Sequence, residues 1–310
     1  MLYMPEGHLI TTTENHEHLA SRAGLEHAMD RGRILEAVAL LSDQDFTLHF
    51  DLGSMRGVMP RREVEDNRSD SPTKDIAVLT RVGKPTCFRV IGFSGDSTGE
   101  TVAVLSRRAA QADCRLHMIN GLAPGDVLVA RVTHLEPFGA FVDIGCGIVS
   151  LLPIDAISVS RIAHPRDRFQ TGDRIWVAVK SIDESGRIYV TQRELLGTWE
   201  ENAARFSVGE TVAGIVRSIE SYGIFVELTP NLAGLAERKE GISVGARAAV
   251  YIKSILPEKM KIKLVIIDTH REEDAHIPTQ YFIDPRKTTH LSAWRYSPQG
   301  SKKIVETVFD

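Results

Sequence analysis

The chain has 310 residues, 43% of them hydrophobic and 25% charged, with a formal net charge of −4. These are the proportions of an ordinary soluble globular protein, with a length prior of about two domains. The negative balance excludes attachment to nucleic acid by bulk phosphate neutralisation. Such binding would need cations gathered on one face, with stacking carrying much of the affinity.

No apolar stretch approaches the roughly 18 residues of a membrane-spanning helix. The start, Met1 to Glu17, lacks the basic segment and apolar core of a signal peptide. Cys87, Cys114 and Cys146 are odd in number, far apart and without metal-ligand spacing, which reads as reduced thiols in a cytoplasmic chain.

Residues 1–29 read as a polar, flexible leader closing in a short helix near Leu25 to Met29. Within it, Glu14-Asn15-His16-Glu17-His18 holds metal-ligating residue types, but nothing fixes their geometry and a solvated leader is the plainer reading. From Gly32 onward one pattern is written three times. Gly32, Gly125 and Gly209 each open a run of alternating apolar residues, and 25 positions after each stands a small residue: Gly57, Ser150 and Gly234. Matched core spacing in copies of unequal length means three copies of one small domain.

In the first copy (30–117), strands are expected at Ile34 to Leu41, Phe46 to Leu52, Gly57 to Met59, Thr86 to Phe93 and Thr101 to Leu105. The polar stretch Glu63 to Lys74 reads as a loop, and Gly95-Asp96-Ser97-Thr98-Gly99 as a turn. In the second (118–197), strands are expected at Val127 to Leu135, Phe138 to Ile144, Val149 to Leu152, Arg174 to Ile182 and Arg187 to Thr191. A helical linker lies around 198–204. The third copy (205–268) places strands at Thr211 to Ile219, Ile224 to Leu228, Ala246 to Ile255 and Lys261 to Ile267, with a short third strand and a shrunken insert before Ala246. Residues 269–310 read as a short, partly ordered extension and not a fourth barrel. Five short strands with a variable insert between the third and fourth is the layout of an OB-fold. The fold expected is all-β, three tandem five-stranded barrels with a leader and a C-terminal extension.

Gly125-Asp-Val-Leu-Val-Ala-Arg-Val, then Phe138-Gly139-Ala140-Phe141-Val142, then Gly172-Asp173 and Ile182-Asp183-Glu184-Ser185-Gly186-Arg187-Ile188 resemble the S-one RNA-binding domain, named after the largest protein of the bacterial small ribosomal subunit. The likeness runs over about 30–268, clear in the second copy, good in the third and weaker in the first. It implies a site of two aromatics on strand two, a histidine on strand three and an acid–arginine pair at the last hairpin. Phe138, Phe141, Asp183 and Arg187 match it in the second copy, with Pro153 at the histidine place. Tyr222, Phe225 and Lys261 match it in the third, with Glu237 at that place. In the first copy Asp45 and Leu48 stand for the aromatics and Pro60 for the histidine, so its site reads as absent.

The residues point the same way without the family. Two aromatics three apart, straddling a glycine, can share one barrel face, and each stacked base contributes about 1–3 kcal/mol without sequence preference. Lys180, Arg187 and Arg193 lie near the last two strands of the second copy, where they could reach a phosphate backbone, and Lys261 and Lys263 do so in the third. Against this, one ring of each pair could simply be core, Trp176 fits packing against the insert, and the Lys259–Lys263 run fits a solvated edge. A different cationic face, around Arg61, Arg62, Arg107 and Arg108, is the alternative if the rings do not bind. His164-Pro165-Arg166-Asp167 only superficially resembles a catalytic loop. No phosphate loop, nucleophile elbow or histidine–acid constellation is present, so no enzyme, metal or cofactor is expected.

The expected function is a non-enzymatic protein that holds single-stranded mRNA at or near the small ribosomal subunit, with no membrane and no small-molecule substrate. Two alternatives stay open: a free regulator of transcript stability or transcription, and a protein adaptor using the first barrel and the tail.

Overall fold

A computed structural model describes residues 3–67, 72–96, 99–270, 277 and 279–309. The chain divides into two compact units, Met1–Leu122 with Asp143–Val149, and Ala123–Val142 with Ser150–Asp310.

The first unit opens with two helices, the second containing the short helix expected near Leu25 to Met29 and the first lying in the stretch expected to be flexible. Thr12 caps α1 (Thr13–Leu19) and Ser21 caps α2 (Arg22–Asp30), each hydroxyl accepting from a backbone N–H in the first turn. The segment before them is pinned by charge. The buried Glu36 carboxylate accepts from the backbone N–H groups of Gly7 (3.0 Å), Leu9 (2.8 Å) and Ile10 (2.9 Å), and the Asn15 side chain bonds both backbone groups of Glu36. Glu6 is buried between Arg107 (2.6 Å) and Arg81 (2.6 Å), and its N–H donates to Asp143 (2.7 Å). Burial alone would raise the Glu6 carboxyl, but Arg107 and then Arg81 overcome it and hold it at about 2. Burial pushes Glu36 up to about 7 against its three N–H donors. A periodicity search cannot see this anchor because it is built from polar residues.

Strands β1 (Leu35–Ser42), β2 (Leu48–Asp51), β3 (Arg56–Met59), β4 (Pro85–Gly95) and β5 (Thr101–Ser106) close a barrel in the order β1-β2-β3-β5-β4. Its core holds Leu25 and Ala28 of α2 together with Phe50 and Phe88. In the insert, residues 61–63 form a 3-10 turn and α3 spans Asp75–Leu79, while Arg68 to Ser71 of the expected loop lie outside the described residues. Ser97 and Thr98 of the expected turn lie outside them too. The chain leaves β5 at Ser106, whose hydroxyl caps α4 (Arg107–His117), so the stretch 105–110 closes one strand and starts a helix. The three cysteines, far apart in sequence, meet here. All are buried and free, and Cys114 and Cys87 lie close enough to push the Cys146 thiol up. Burial pushes the Cys87 thiol up to about 11, the condition of an unreactive cysteine.

In the second unit, β6 (Val127–Glu136), β7 (Gly139–Asp143), β8 (Val149–Pro153), β9 (Arg174–Ile182) and β10 (Ile188–Thr191) close the second barrel in the order β10-β8-β7-β6-β9. The linker is helical only over α5 (Trp199–Ala203), which carries a Thr198–Glu201 capping box. The third barrel is β11 (Thr211–Glu220), β12 (Gly223–Thr229), β13 (Leu232–Ala236), β14 (Arg247–Leu256) and β15 (Lys261–His270), in the order β11-β12-β13-β15-β14. All-β architecture with three closed five-stranded barrels is therefore what the chain adopts.

His164 and Asp167 form a capping box on a 3-10 turn of the second barrel's insert. Beside it, Arg168 meets Glu227 of the third barrel at 2.8 Å and Arg217 meets the same carboxylate at 2.6 Å, all buried. The extension is more ordered than expected, although Pro278 lies outside the described residues. Its hairpin, β16 (Ala293–Arg295) and β17 (Glu306–Val308), puts Trp294 and Tyr296 into the third barrel's core. Tyr281, Leu291 and Phe309 cover Val127 and Ala178 of the second, and Trp176 packs there, against the tail and not the insert. Among the described residues no helix is long and apolar enough to cross a membrane.

Candidate nucleic-acid interface

Strand alternation decides which rings face outward. In β7, Ala140 and Val142 are buried, so Phe141 between them stands on the outer surface; Ile224 and Val226 do the same for Phe225 in β12. Phe138 and Tyr222, in the turns before these strands, are 55% and 67% exposed. Phe138 and Phe141 meet edge to face, 6.0 Å apart at 90°, and Tyr222 and Phe225 likewise at 6.1 Å and 88°. This is a preferred aromatic geometry, and it fixes the rings while leaving them at the surface. The intervening glycine is required by close approach. A Cβ at Gly139 would sit 2.5 Å from the Leu152 carbonyl oxygen, and one at Gly223 would sit 2.6 Å from that of Ala236.

His134, at the end of β6, adds a third ring to the second barrel's platform. It stacks on Phe141 at 6.3 Å and 28°, and its Nε2 lies 2.6 Å from Glu136. Sequence reasoning missed it, although its place across the hairpin from Phe141 was the available signal. Tyr189 was also missed; it pairs with Leu151 on the outer side of β10.

The hairpin pair divides its labour. Asp183 Oδ1 accepts from the Ser185 hydroxyl (2.7 Å) and from the N–H groups of Ser185 (2.9 Å) and Arg187 (2.9 Å), which holds its carboxyl below the usual range. Its observed work is closing the turn. Arg187 is exposed, with no ion pair among the described residues. Lys180 is the extra residue of a bulge between the Tyr189–Ser181 and Val190–Val179 pairs, and is half-buried. The Arg193 guanidinium bonds Glu194 (3.1 Å), the Asp155 carbonyl (3.3 Å) and the Thr307 hydroxyl (3.4 Å), and so ties the tail down.

In the third barrel, Lys261 precedes buried Ile262 as Arg187 precedes buried Ile188. Lys263 pairs with Leu235, which pairs with Phe225, so ring, leucine and lysine form one row across three strands. Glu237 is exposed just beyond β13.

The first barrel corrects the sequence alignment by one residue. Between the last β1–β2 pair, Ser42–Leu48, lie the five residues 43–47, whereas Ile219–Ile224 in the third barrel encloses the four residues 220–223. Leu48 is therefore core, and the outward place of Phe225 belongs to His49, which pairs with Val58 as Phe225 pairs with Leu235. Three residues earlier stands Phe46, not Asp45, held at a φ of 59° in a turn closed by Asp43. Two rings thus stand at these places, but Phe46 is half-buried and packs against the barrel's core, and no ring contact joins the two among the described residues. Arg61 lies over the Phe46 ring at 4.9 Å, and His49 bonds Asp43 at 2.8 Å. The alternative cationic face is largely spent, since Arg107 is buried on Glu6, Arg108 pairs with Glu63 and Arg61 with Asp75.

Comparison with known proteins matches residues 122–192, which contain the second platform, to the S1 RNA binding domain. The bS1 homolog of Bacillus subtilis is 30% identical over 198 residues, covering 62% of this chain and 50% of that one. Over these residues the chain is similar to bS1 proteins, and its second barrel matches the S1 RNA binding domain. Small ribosomal subunit protein bS1 of Leuconostoc lactis is 32% identical over 181 residues, covering 52% of this chain and 41% of its own. The chain thus spans half or less of the length of these curated relatives. A crystal structure of a multidomain protein with nucleic acid binding domains from Streptococcus pneumoniae overlaps 76% of this chain and 73% of its own, at a TM-score of 0.25 and 13% identity. That overlap carries no argument. No group of histidine, cysteine and acidic residues able to hold a metal occurs among the described residues.

Proposed function

We propose that this S1-domain chain is a non-enzymatic cytoplasmic protein that holds single-stranded mRNA at or near the small ribosomal subunit during translation. The observation carrying this reading is the edge-to-face pair Phe138–Phe141, with Phe138 exposed and Phe141 half-buried on the outer face, lying inside the segment matched to the S1 RNA binding domain. The family of the relatives, named as small ribosomal subunit proteins, supports the ribosomal setting. Unstacked bases are what such rings can take, and linked weak sites add avidity without tight single contacts. Phe138, Phe141, His134 and Arg187 serve the second barrel, and Tyr222, Phe225, Lys261 and Lys263 the third. Lys180 is a backbone contact at the rim.

Co-sedimentation with ribosomes at low and high salt tests the setting. The chain should travel with the small subunit and be released by excess single-stranded RNA. Failure to co-sediment, with RNA binding intact, leaves a free regulator.

A further inference from the structure

One barrel face receives three treatments. In the first barrel α4 lies over β4, with Arg89 paired to Asp113 at 2.9 Å. In the second, the paired residues Val127 and Ala178 are capped by Tyr281, Leu291 and Phe309 of the tail. The corresponding pair in the third barrel is Thr211 and Tyr251, and neither belongs to the hydrophobic cluster that the tail joins. Tyr251 is 38% exposed, and its cross-strand partner Val265 and the next outward residue, Ile267, are exposed as well.

The border of this face is cationic. Lys253, Lys259, Lys261 and Lys263 are exposed and have no ion-pair partner among the described residues. The nearest acids include Glu210, which accepts from the Ser207 N–H (2.9 Å), Asp268, which accepts from the Thr269 N–H (2.8 Å), and Glu258 in the β14–β15 turn. Lys263 links this face to the ring platform, since it pairs with Leu235 on one side and Ser254 on the other. Tyr251 stands opposite Val265, two residues along β15 from Lys263, about 7 Å away.

We infer that the β14–β15 face of the third barrel is a second binding surface for single-stranded RNA, which leaves the Tyr222–Phe225 platform, passes Lys263 and stacks a base on Tyr251. The inference rests on the RNA-binding reading above. Charge complementarity and continuity with the ring platform favour a phosphate chain over an apolar protein partner.

The test is fluorescence anisotropy on the full chain, with oligouridylates of about 6 and about 20 nucleotides, for the wild type and for Tyr251→Ser with Lys253→Gln. Both positions are exposed, and an unchanged melting temperature confirms that the variant folds. Affinity for the short oligonucleotide should hold, while that for the long one falls about tenfold and its log–log salt slope shrinks by about 0.7. Equal affinity of variant and wild type for the long oligonucleotide overturns the inference and leaves the face to a protein. If the wild type binds neither length, the RNA-binding reading itself fails.

Discussion

Asp183 and Arg187 are four apart at one hairpin, yet their side chains face different tasks. The carboxylate is occupied by three donors of its own turn, while the guanidinium is exposed and has no ion pair among the described residues. Arg187→Gln should weaken RNA binding and reduce the salt slope by about 0.7, the share of one phosphate contact. Asp183→Ala should lower the melting temperature and leave that slope unchanged. A slope altered by Asp183→Ala at constant melting temperature would return the carboxylate to the binding site. The two ring positions of the first barrel are also a residue-scale matter, since Phe46 packs against the core. Arg61 occupies a face of Phe46, and His49 is a smaller ring than phenylalanine. Phe46→Ala with His49→Ala should therefore reduce full-chain affinity less than Phe138→Ala with Phe141→Ala, which should remove about 2–4 kcal/mol from the second barrel's binding. A larger loss in the first barrel would reverse the ranking of the platforms.

At the scale of elements, the anchored N-terminal segment sets the pH response of the first unit. The folded Glu6 carboxyl is held at about 2, below its ordinary 4.5, so its stabilisation is present above 4.5 and lost as pH falls toward 2. Glu36 is raised to about 7, so it stabilises below 4.5 and that contribution is lost as pH rises toward 7. Thermal unfolding of the full chain should show this unit most stable near pH 4.5 to 5, and Glu36→Gln should flatten the decline on the alkaline side. A melting temperature rising steadily to about pH 8 contradicts the assignment. Arg107→Ala, which leaves the buried Glu6 with Arg81 as its remaining cationic partner, should cost about 3 kcal/mol. The strands themselves were legible because apolar alternation reports a half-buried pleat, as at Val127 to Leu135 and Thr211 to Ile219. The leader's anchor was not legible because Asn15 and Glu36 bury polar groups on each other and Glu6 is buried on Arg107 and Arg81, and hydropathy reads them as solvated. The first platform was misread for a local reason: spacing fixed from Gly32 cannot register a turn that has five residues instead of four.

For the molecule as a whole, the tail changes how the chain is divided. It was expected to be partly ordered, and the adaptor alternative made it available to a protein partner. Instead Tyr296 donates to the Asn231 carbonyl at 2.5 Å, and Phe309 and Tyr281 cover the second barrel. With the Arg168–Glu227–Arg217 cluster, these contacts join the second and third barrels into one unit. Their two ring pairs are then carried together, which suits one strand engaging both. The central claim is that paired surface rings, and not bulk charge, hold unstacked RNA on a chain of net charge −4. Its most direct test is anisotropy of the full chain with a pyrimidine-rich single strand and with the duplex of the same sequence, for the wild type and for Phe138→Ala with Phe141→Ala. The account predicts clear preference for the single strand, a salt slope no steeper than about −5, and a marked loss in the variant. Equal affinity for strand and duplex, or a variant that binds as the wild type does, would contradict it.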